Sequence, residues 1–410
     1  MPASRLPTYW IITLLAAATL MVTMGARQSL GLFVSPINTS TGLGVASISL
    51  AMAIGQFVWG AVQPITGAVA DRYGPGRVIA FGLVLLALGS ALTPFVSSTF
   101  GLCITLGLLS AAGSGAGSFS VLITAAAQRL PAERRGFASG VINAGGSFGQ
   151  FVFAPVLQKL IQTLGWMGAM WSLAAITLAA LPLAFGLRRP VQTAAEKQAA
   201  QNSGPSLGAS VRSALQDRSY LLLHAGFFTC GFHIAFLVTH LPGEVALCGL
   251  PAGVASWSLA IIGLANIVGS LCAGWAVQHY RSKYVLFWMY GSRALLVLLY
   301  LAAPKTALTF YLFAAGLGVT WLATVPPTAS VVGKLFGSKY LGTLFGLTLL
   351  SHQVGGFFGA WLGGLAITRL GDYSVMWWID IALAATAALC NLPIREAKLM
   401  PAAQPAMPAR

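Results

Sequence analysis

The second half of this chain repeats the first about 206 residues later, and both halves consist almost entirely of apolar segments of membrane length. The segment 45–51 reads VASISLA, and 254–260 reads VASWSLA. Glycines recur at the same offset: Gly25 and Gly231, Gly136 and Gly342, Gly140 and Gly346, Gly149 and Gly355, Gly165 and Gly371. Repeats of this size in an apolar chain are typical of secondary transporters, whose substrate site lies between the halves near the bilayer midplane.

The composition requires a membrane environment. The chain is 57% hydrophobic and 8% charged, with a mean hydropathy of +0.80, whereas soluble domains carry roughly 25% charged residues. Since a spanning helix needs about 20 mostly apolar residues, we predict an all-α membrane protein of two pseudo-symmetric six-helix bundles, at 1–187 and 219–410, joined by a polar linker at 188–218. The twelve predicted spans lie near 10–36, 46–69, 77–96, 100–128, 137–162, 166–187, 219–242, 252–277, 284–303, 306–332, 340–368 and 374–395.

The distribution of basic residues predicts the orientation in the membrane. The formal net charge of +15 would suggest a nucleic-acid partner in a soluble protein. If both termini are cytoplasmic, however, only Lys159, Lys305 and Arg369 of the 23 Lys and Arg residues lie outside. Arg27 and Arg293 lie within spans, and the other 18 lie inside, as the positive-inside rule requires. We therefore expect an inner-membrane protein that contacts anionic lipid and binds no nucleic acid.

Between the second and third spans, Gly67-x-x-x-Asp71-Arg72-x-Gly74-x-Gly76-Arg77 resembles the cytoplasmic loop motif of the major facilitator superfamily. The glycines permit a tight turn and a close helix approach, and Asp71 can face a helix N-terminus of the other half. The resemblance implies a gating role for this set and for the loop before the fifth span: Gly67, Asp71, Arg72, Gly74, Arg77 and Arg135. For Arg72 and Arg77, a purely topological role stays open.

The segment Arg27-Gln28-Ser29-Leu30-Gly31-Leu32-Phe33 resembles bacterial relatives of the monocarboxylate and oxalate/formate transporters. The monocarboxylate family is marked by an Asp and an Arg one turn apart in the eighth span, where this chain has Asn266 and Ser270. Either Arg27 binds the anion without that arginine, or the substrate is not a monocarboxylate.

Charged residues inside spans cost about 2.5–3.5 kcal/mol on insertion scales and mark functional sites by default. Only Arg27, Arg293 and Asp380 qualify here. The Arg27 guanidinium can hold a carboxylate through two hydrogen bonds, although a gate network or snorkelling would also account for it. Arg293 and Asp380 lie in the middle of the ninth and twelfth spans, and we expect them to form a buried charge pair.

Polar residues on spans that line the cavity in the resembled family complete the candidate site. His233 and His240 lie on one face of the seventh span, and an imidazole titrates near pH 6.5, so either can carry a coupling proton or serve as a polar lining residue. The tenth span is predicted to break at Pro326–Pro327, as a gating bend or for packing. The candidate substrate contacts are Arg27, Asn143, His233, Trp321, His352 and Gln353.

The sequence favours a monomeric secondary transporter of a small organic anion such as a carboxylate, with or without a coupled proton. The alternatives are an efflux pump for amphipathic compounds and a membrane sensor that transports nothing. No catalytic residues, metal-ligand spacing or cofactor-binding loop is found in the sequence, so we expect neither an enzyme nor a cofactor.

Overall fold

A computed structural model of the protein describes residues 8–127, 132–188, 206–337 and 340–396. All regular secondary structure in these residues is helical. In the first half, α1 is Thr8–Gln28 with its continuations Leu30–Phe33 and Val34–Thr41, α2 is Val45–Tyr73, and α3 is Pro75–Leu92. The fourth helix, α4, consists of the pieces Thr99–Leu102, Cys103–Ser110, Ala111–Ala116 and Phe119–Ala127.

A single glycine separates the fifth and sixth helices. The helical stretch Ala132–Ala179 contains Gly165 at φ 72° and ψ 170°, a conformation that only glycine adopts without strain. It divides the stretch into α5 and α6, and α6 continues through Leu181–Gly186.

The second half repeats this order. Its helices are α7 (Arg218–Leu247), α8 (Ala252–His279), α9 (Ser282–Ala302), α10 (Ala307–Thr320 and Val325–Phe336), α11 (Leu341–Leu370) and α12 (Ser374–Asn391). A short linker helix, Leu207–Gln216, precedes α7 within the predicted linker.

Ten stretches of the described residues are long and apolar enough to cross a membrane. One of them, Gly140–Gly186, contains both α5 and α6 because Gly165 does not interrupt the hydropathy. The 30-residue helix α11 is not among the ten. With α11 counted and α5 separated from α6, the chain has the twelve helices that its sequence predicts.

One repeated pair of glycines, Gly149 and Gly355, lies where helices cross within each half. A Cβ atom on Gly149 of α5 would collide with the backbone carbonyl of Met21 on α1. A Cβ atom on the equivalent Gly355 of α11 would likewise collide with the carbonyl of Phe228 on α7. Membrane helices pack closely through small residues, and the small-residue run Gly140, Gly145 and Gly149 predicts such packing. Gly149 confirms it, whereas Gly140 has no described atom within 4 Å of its Cβ position.

Candidate functional site

Arg27 lies at the end of the first segment of α1 and is partly exposed. One guanidinium nitrogen donates a hydrogen bond to the Gln56 side-chain oxygen on α2. The guanidinium carbon lies 4.2 Å from the centre of the Trp59 ring, a cation–π geometry. In the described part of the chain, no carboxylate lies within 4 Å of this arginine. Arg27 is therefore a cation held by an amide and an aromatic face.

A small cavity of about 30 Å³ adjoins Arg27. Its wall includes three serine residues of α3 and α4, namely Ser90, Ser110 and Ser114. Val238 of α7, in the other half, also lines the cavity. This volume suits one or two water molecules. A carboxylate can therefore join the guanidinium only if neighbouring side chains move.

In the part of the chain that the structure describes, the contacts between the two halves lie toward the end of the molecule away from the start of α1, here called the closed end. A Cβ atom on Gly31 of α1 would collide with the backbone carbonyl of Val238 on α7, and one on Gly60 of α2 would collide with the Gln353 side chain on α11. Toward the end of the molecule where α1 begins, four glycines have no described atom within 4 Å of their Cβ positions: Gly67, Gly140, Gly274 and Gly346. Among the described residues, the space beside these four glycines is open, and the contacts between the halves lie away from the end where α1 begins.

The buried charges of the second half form a cluster that differs from the predicted pair. His233, Arg293 and Asp380 are all 0% exposed. Asp380 contacts the His233 ring, with Nδ1 and Oδ2 2.5 Å apart. In the described residues, no ion pair within 4 Å joins Arg293 to Asp380. The two charges share one cluster, but the imidazole takes the place beside the carboxylate that we expected Arg293 to occupy.

Arg293 instead stabilises the break in α10. The first segment of α10 ends at Thr320, and the second begins after four intervening residues, at Val325, directly before Pro326 and Pro327. The predicted break is therefore confirmed. The Arg293 guanidinium donates to the backbone carbonyls of Thr320 and, at 3.1 Å, Trp321. These carbonyls have lost their helical partners, and a cation at a helix C-terminus is also favoured by the helix dipole.

The same break is linked to the other half of the molecule through Asn266 of α8. The Asn266 side-chain oxygen accepts a hydrogen bond from the Leu322 backbone N–H at 2.9 Å. Its side-chain nitrogen donates to the Ser147 hydroxyl on α5 at 2.8 Å. Asn266 occupies one of the two positions of the missing monocarboxylate motif, and the structure places it at the contact between halves.

The other predicted polar residues divide between interior and interface. His240 is 1% exposed, and both ring nitrogens are occupied: Nε2 lies 2.7 Å from the Ala360 carbonyl oxygen and Nδ1 lies 3.3 Å from the Tyr373 hydroxyl. These contacts satisfy the hydrogen-bonding groups of a neutral imidazole, so they do not require His240 to carry a transported proton. His352 and Gln353 are buried side by side on α11, with Gln353 Nε2 3.0 Å from His352 Nδ1.

Two predicted substrate contacts lie away from Arg27. Trp321 is 0% exposed, with its ring centre 6.0 Å from that of His233. Asn143 is half-buried on α5, one turn before Ser147, and its backbone carbonyl accepts from the Ser147 hydroxyl. Of the six predicted contacts, Arg27 alone is among the residues that line the cavity described above. The structure places Arg27 in one half and His233 with Trp321 in the interior of the other.

The predicted gating motif forms the turn between α2 and α3. Gly74 adopts φ 92°, which permits the tight turn, and Gly76 lies so close to the Ala184 carbonyl on α6 that a Cβ would not fit. Arg77 is exposed. The side chains of Asp71, Arg72 and Arg135 lie outside the described part of the structure, so gating remains a prediction.

Sequence reasoning did not single out Trp59, Asn266 or Ser147 as site residues. Trp59 is an aromatic residue on an apolar span, a pattern that packing alone explains. Asn266 and Ser147 are 119 residues apart in the chain. The sequence indicates only that Asn266 and Ser147 lie at similar depths in the membrane. It does not indicate which faces of their helices they occupy.

Comparison with known proteins agrees with this architecture. The model of the Major Facilitator Superfamily matches residues 15–347 and 247–406. A crystal structure of a D-xylose-proton symporter superposes with a TM-score of 0.74 at 16% identity, over 95% of this chain and 98% of that one. This likeness concerns the fold.

Two curated relatives are similar over most of their length. Monocarboxylate transporter 13 of Bos taurus is 28% identical over 396 residues, which cover 94% of this chain and 89% of that protein. The oxalate:formate antiporter of Oxalobacter formigenes is 26% identical over 377 residues, covering 88% and 86%.

Proposed function

Because the chain belongs to the Major Facilitator Superfamily and is a multi-pass membrane transporter, we propose that it moves a small organic anion, a carboxylate, by alternating access. The observation that carries the proposal is Arg27, a partly exposed cation between the two halves with no carboxylate within 4 Å in the described residues. A charged side chain within a membrane span is costly. A bound carboxylate would supply the missing charge.

The contacts of Arg27 suggest how the anion binds. The Gln56 side-chain oxygen now accepts from the guanidinium, and the Trp59 ring covers one of its faces. A carboxylate oxygen is a stronger acceptor than an amide oxygen because it is charged. A substrate can therefore displace Gln56 and grip the guanidinium with two parallel hydrogen bonds, while Trp59 holds the guanidinium plane in place.

The names of the relatives point to the same chemical class, since both denote transporters of small carboxylates. In our proposal the protein lies in the cell inner membrane with both termini cytoplasmic. The open space beside Gly67 and Gly346 then faces the cytoplasm, and the loop with Asp71 and Arg72 gates it. His233 is our candidate for a coupling proton.

A ligand screen on purified protein tests the proposal. A ligand that binds only the folded state raises the midpoint of thermal unfolding. We expect oxalate, formate or L-lactate to raise it, and amphipathic cations to leave it unchanged. Counterflow of the labelled carboxylate in proteoliposomes should accompany binding. Stabilisation by amphipathic cations alone would favour the efflux alternative, and carboxylate binding without counterflow would favour the sensor.

A further inference from the structure

The buried cluster of the second half contains one titratable pair that is sealed from solvent. His233 of α7 and Asp380 of α12 are 0% exposed and share a contact of 2.5 Å. An ionised carboxylate accepts a hydrogen bond from a neutral imidazole if Nδ1 carries the proton. Arg293, also 0% exposed, supplies the opposite charge, and the three groups together are then neutral.

This pair has free positions for one further proton. In the described part of the chain, His233 Nε2 and Asp380 Oδ1 are buried and have no hydrogen-bond partner. Buried polar atoms are normally paired. A proton taken from water would bind to either atom without displacing an existing hydrogen bond. It would add one positive charge to a cluster that already contains Arg293.

The added charge would act on the break in α10. Arg293 holds the Thr320 and Trp321 carbonyls. A proton on His233 would place a second cation near Arg293, and a proton on Asp380 would remove its countercharge. Either change acts strongly in an interior with little water. Asn266 ties the same break to Ser147 in the other half. A change at Arg293 is thereby connected to the contact between the halves.

Among the described residues, Arg293 on α9 is the titratable group that acts directly on the pair. Tyr290 on α9 and His352 on α11 experience the charge of Arg293 in turn, and Cys230 on α7 lies beside Tyr290 and the Trp321 carbonyl. The neighbouring part of α10 contributes Trp321, and α8 contributes the neutral Asn266. His352 lies near enough to both Arg27 and Arg293 to experience both charges. An anion bound at Arg27 would therefore lower the positive potential across the same region.

We propose that His233 and Asp380 form a one-proton site, and that Arg293 and the α10 break transmit its occupancy to the contact between the halves. The unprotonated pair fits the present conformation, in which the Arg293 contacts and the Asn266–Ser147 contact are made. The protonated pair favours the conformation in which the closed end is open. The inference extends the proposed transport function by identifying where its coupling proton binds.

The test measures the distance between the two halves at their closed end. Ser97 follows α3 and Ala302 ends α9, both are exposed, and spin labels on S97C and A302C report on opposite halves. In a cysteine-free background we expect the longer distance to gain population as the pH falls from about 8 to about 5.5, the range in which histidine titrates. No carboxylate is added, so a failure of anion binding leaves the measurement unaffected.

Substitutions at His233 and Asp380 test whether this pair causes the pH-dependent change in distance. Asp380→Asn should abolish the pH dependence, and His233→Gln should do the same if Asp380→Asn fails to fold. Glu244→Gln is the matched control, because Glu244 is another acid on α7 but bonds to Tyr300 at 2.6 Å, away from the break. Its pH response should equal that of the parent. A parent without pH response, or a response that persists in both pair variants, would overturn the proposal.

Discussion

The two halves of the molecule place different chemistry at one position of their repeat. Arg27 and His233 are separated by the 206 residues that relate the halves. Arg27 is partly exposed, beside an amide and an indole, with no carboxylate near it in the described residues. His233 is fully buried against Asp380. The first half thus presents an unbalanced charge to the interface, and the second half neutralises its charges internally.

This difference explains why a pseudo-symmetric fold can support an asymmetric site. Helix crossings are retained in both halves because Gly149 and Gly355 each permit close approach. The side chains at the equivalent position are free to differ, because packing of the backbones does not depend on them. Substrate binding and proton binding can therefore occupy matching places in separate bundles.

The largest expected effect distinguishes the two arginines by their contribution to stability. Arg293→Ala removes the cation of the buried cluster that contains Asp380 and leaves two backbone carbonyls without a donor, so it should cost about 3–5 kcal/mol of unfolding free energy. Asp380→Asn in the same chain should restore part of the loss. Arg27→Ala should cost much less, because Arg27 is partly exposed and leaves no carboxylate unpaired. Chemical unfolding in detergent compares the three. Equal losses of unfolding free energy for Arg27→Ala and Arg293→Ala would contradict the different roles assigned to the two arginines.

A smaller effect concerns the turn between α8 and α9, where the segment 274–280 is a degraded copy of the gating motif. The copy has Gln278 where the first half has Asp71. There, Glu396 follows α12 and accepts hydrogen bonds from the first amides of α9, Ser282 and Lys283, both at 3.0 Å. Lys334 lies 2.5 Å from the same carboxylate. Glu396→Gln should cost about 1 kcal/mol, as for loss of a helix cap.

The pH dependence of that cost follows from the carboxyl group. Burial alone would raise the pKa of Glu396, but the hydrogen bonds from Lys334 and the two amides hold it below its usual value. The stabilisation is therefore fully present above the unfolded pKa of about 4.3 and is lost as the pH falls through the lower folded pKa. Unfolding of parent and Glu396→Gln between about pH 3 and 7 should show curves that converge in acid. A constant difference down to pH 3 would contradict this role.

The helices could be predicted from sequence because lipid obliges each spanning segment to satisfy its own backbone. The α10 break was predictable for a related reason, since Pro326 and Pro327 cannot continue the hydrogen-bond ladder. The partner of Asp380 could not be predicted from the sequence. Hydropathy gives the depth of a residue along its helix but not the rotation of that helix about its axis. Arg293 and His233 lie at comparable depth to Asp380, and only packing selects the histidine.

The central claim is that position 27 binds the substrate anion and position 233 does not. The direct test is the thermal shift produced by oxalate, formate or L-lactate in the parent protein, Arg27→Ala, Arg27→Lys and His233→Gln. We predict no shift for Arg27→Ala, since a charged hydrogen bond contributes about 1.5–3 kcal/mol to binding. Arg27→Lys should show a much reduced shift, because an ammonium cannot form two parallel bonds, and His233→Gln should show a shift close to that of the parent. A parent-like shift in folded Arg27→Ala would contradict the account.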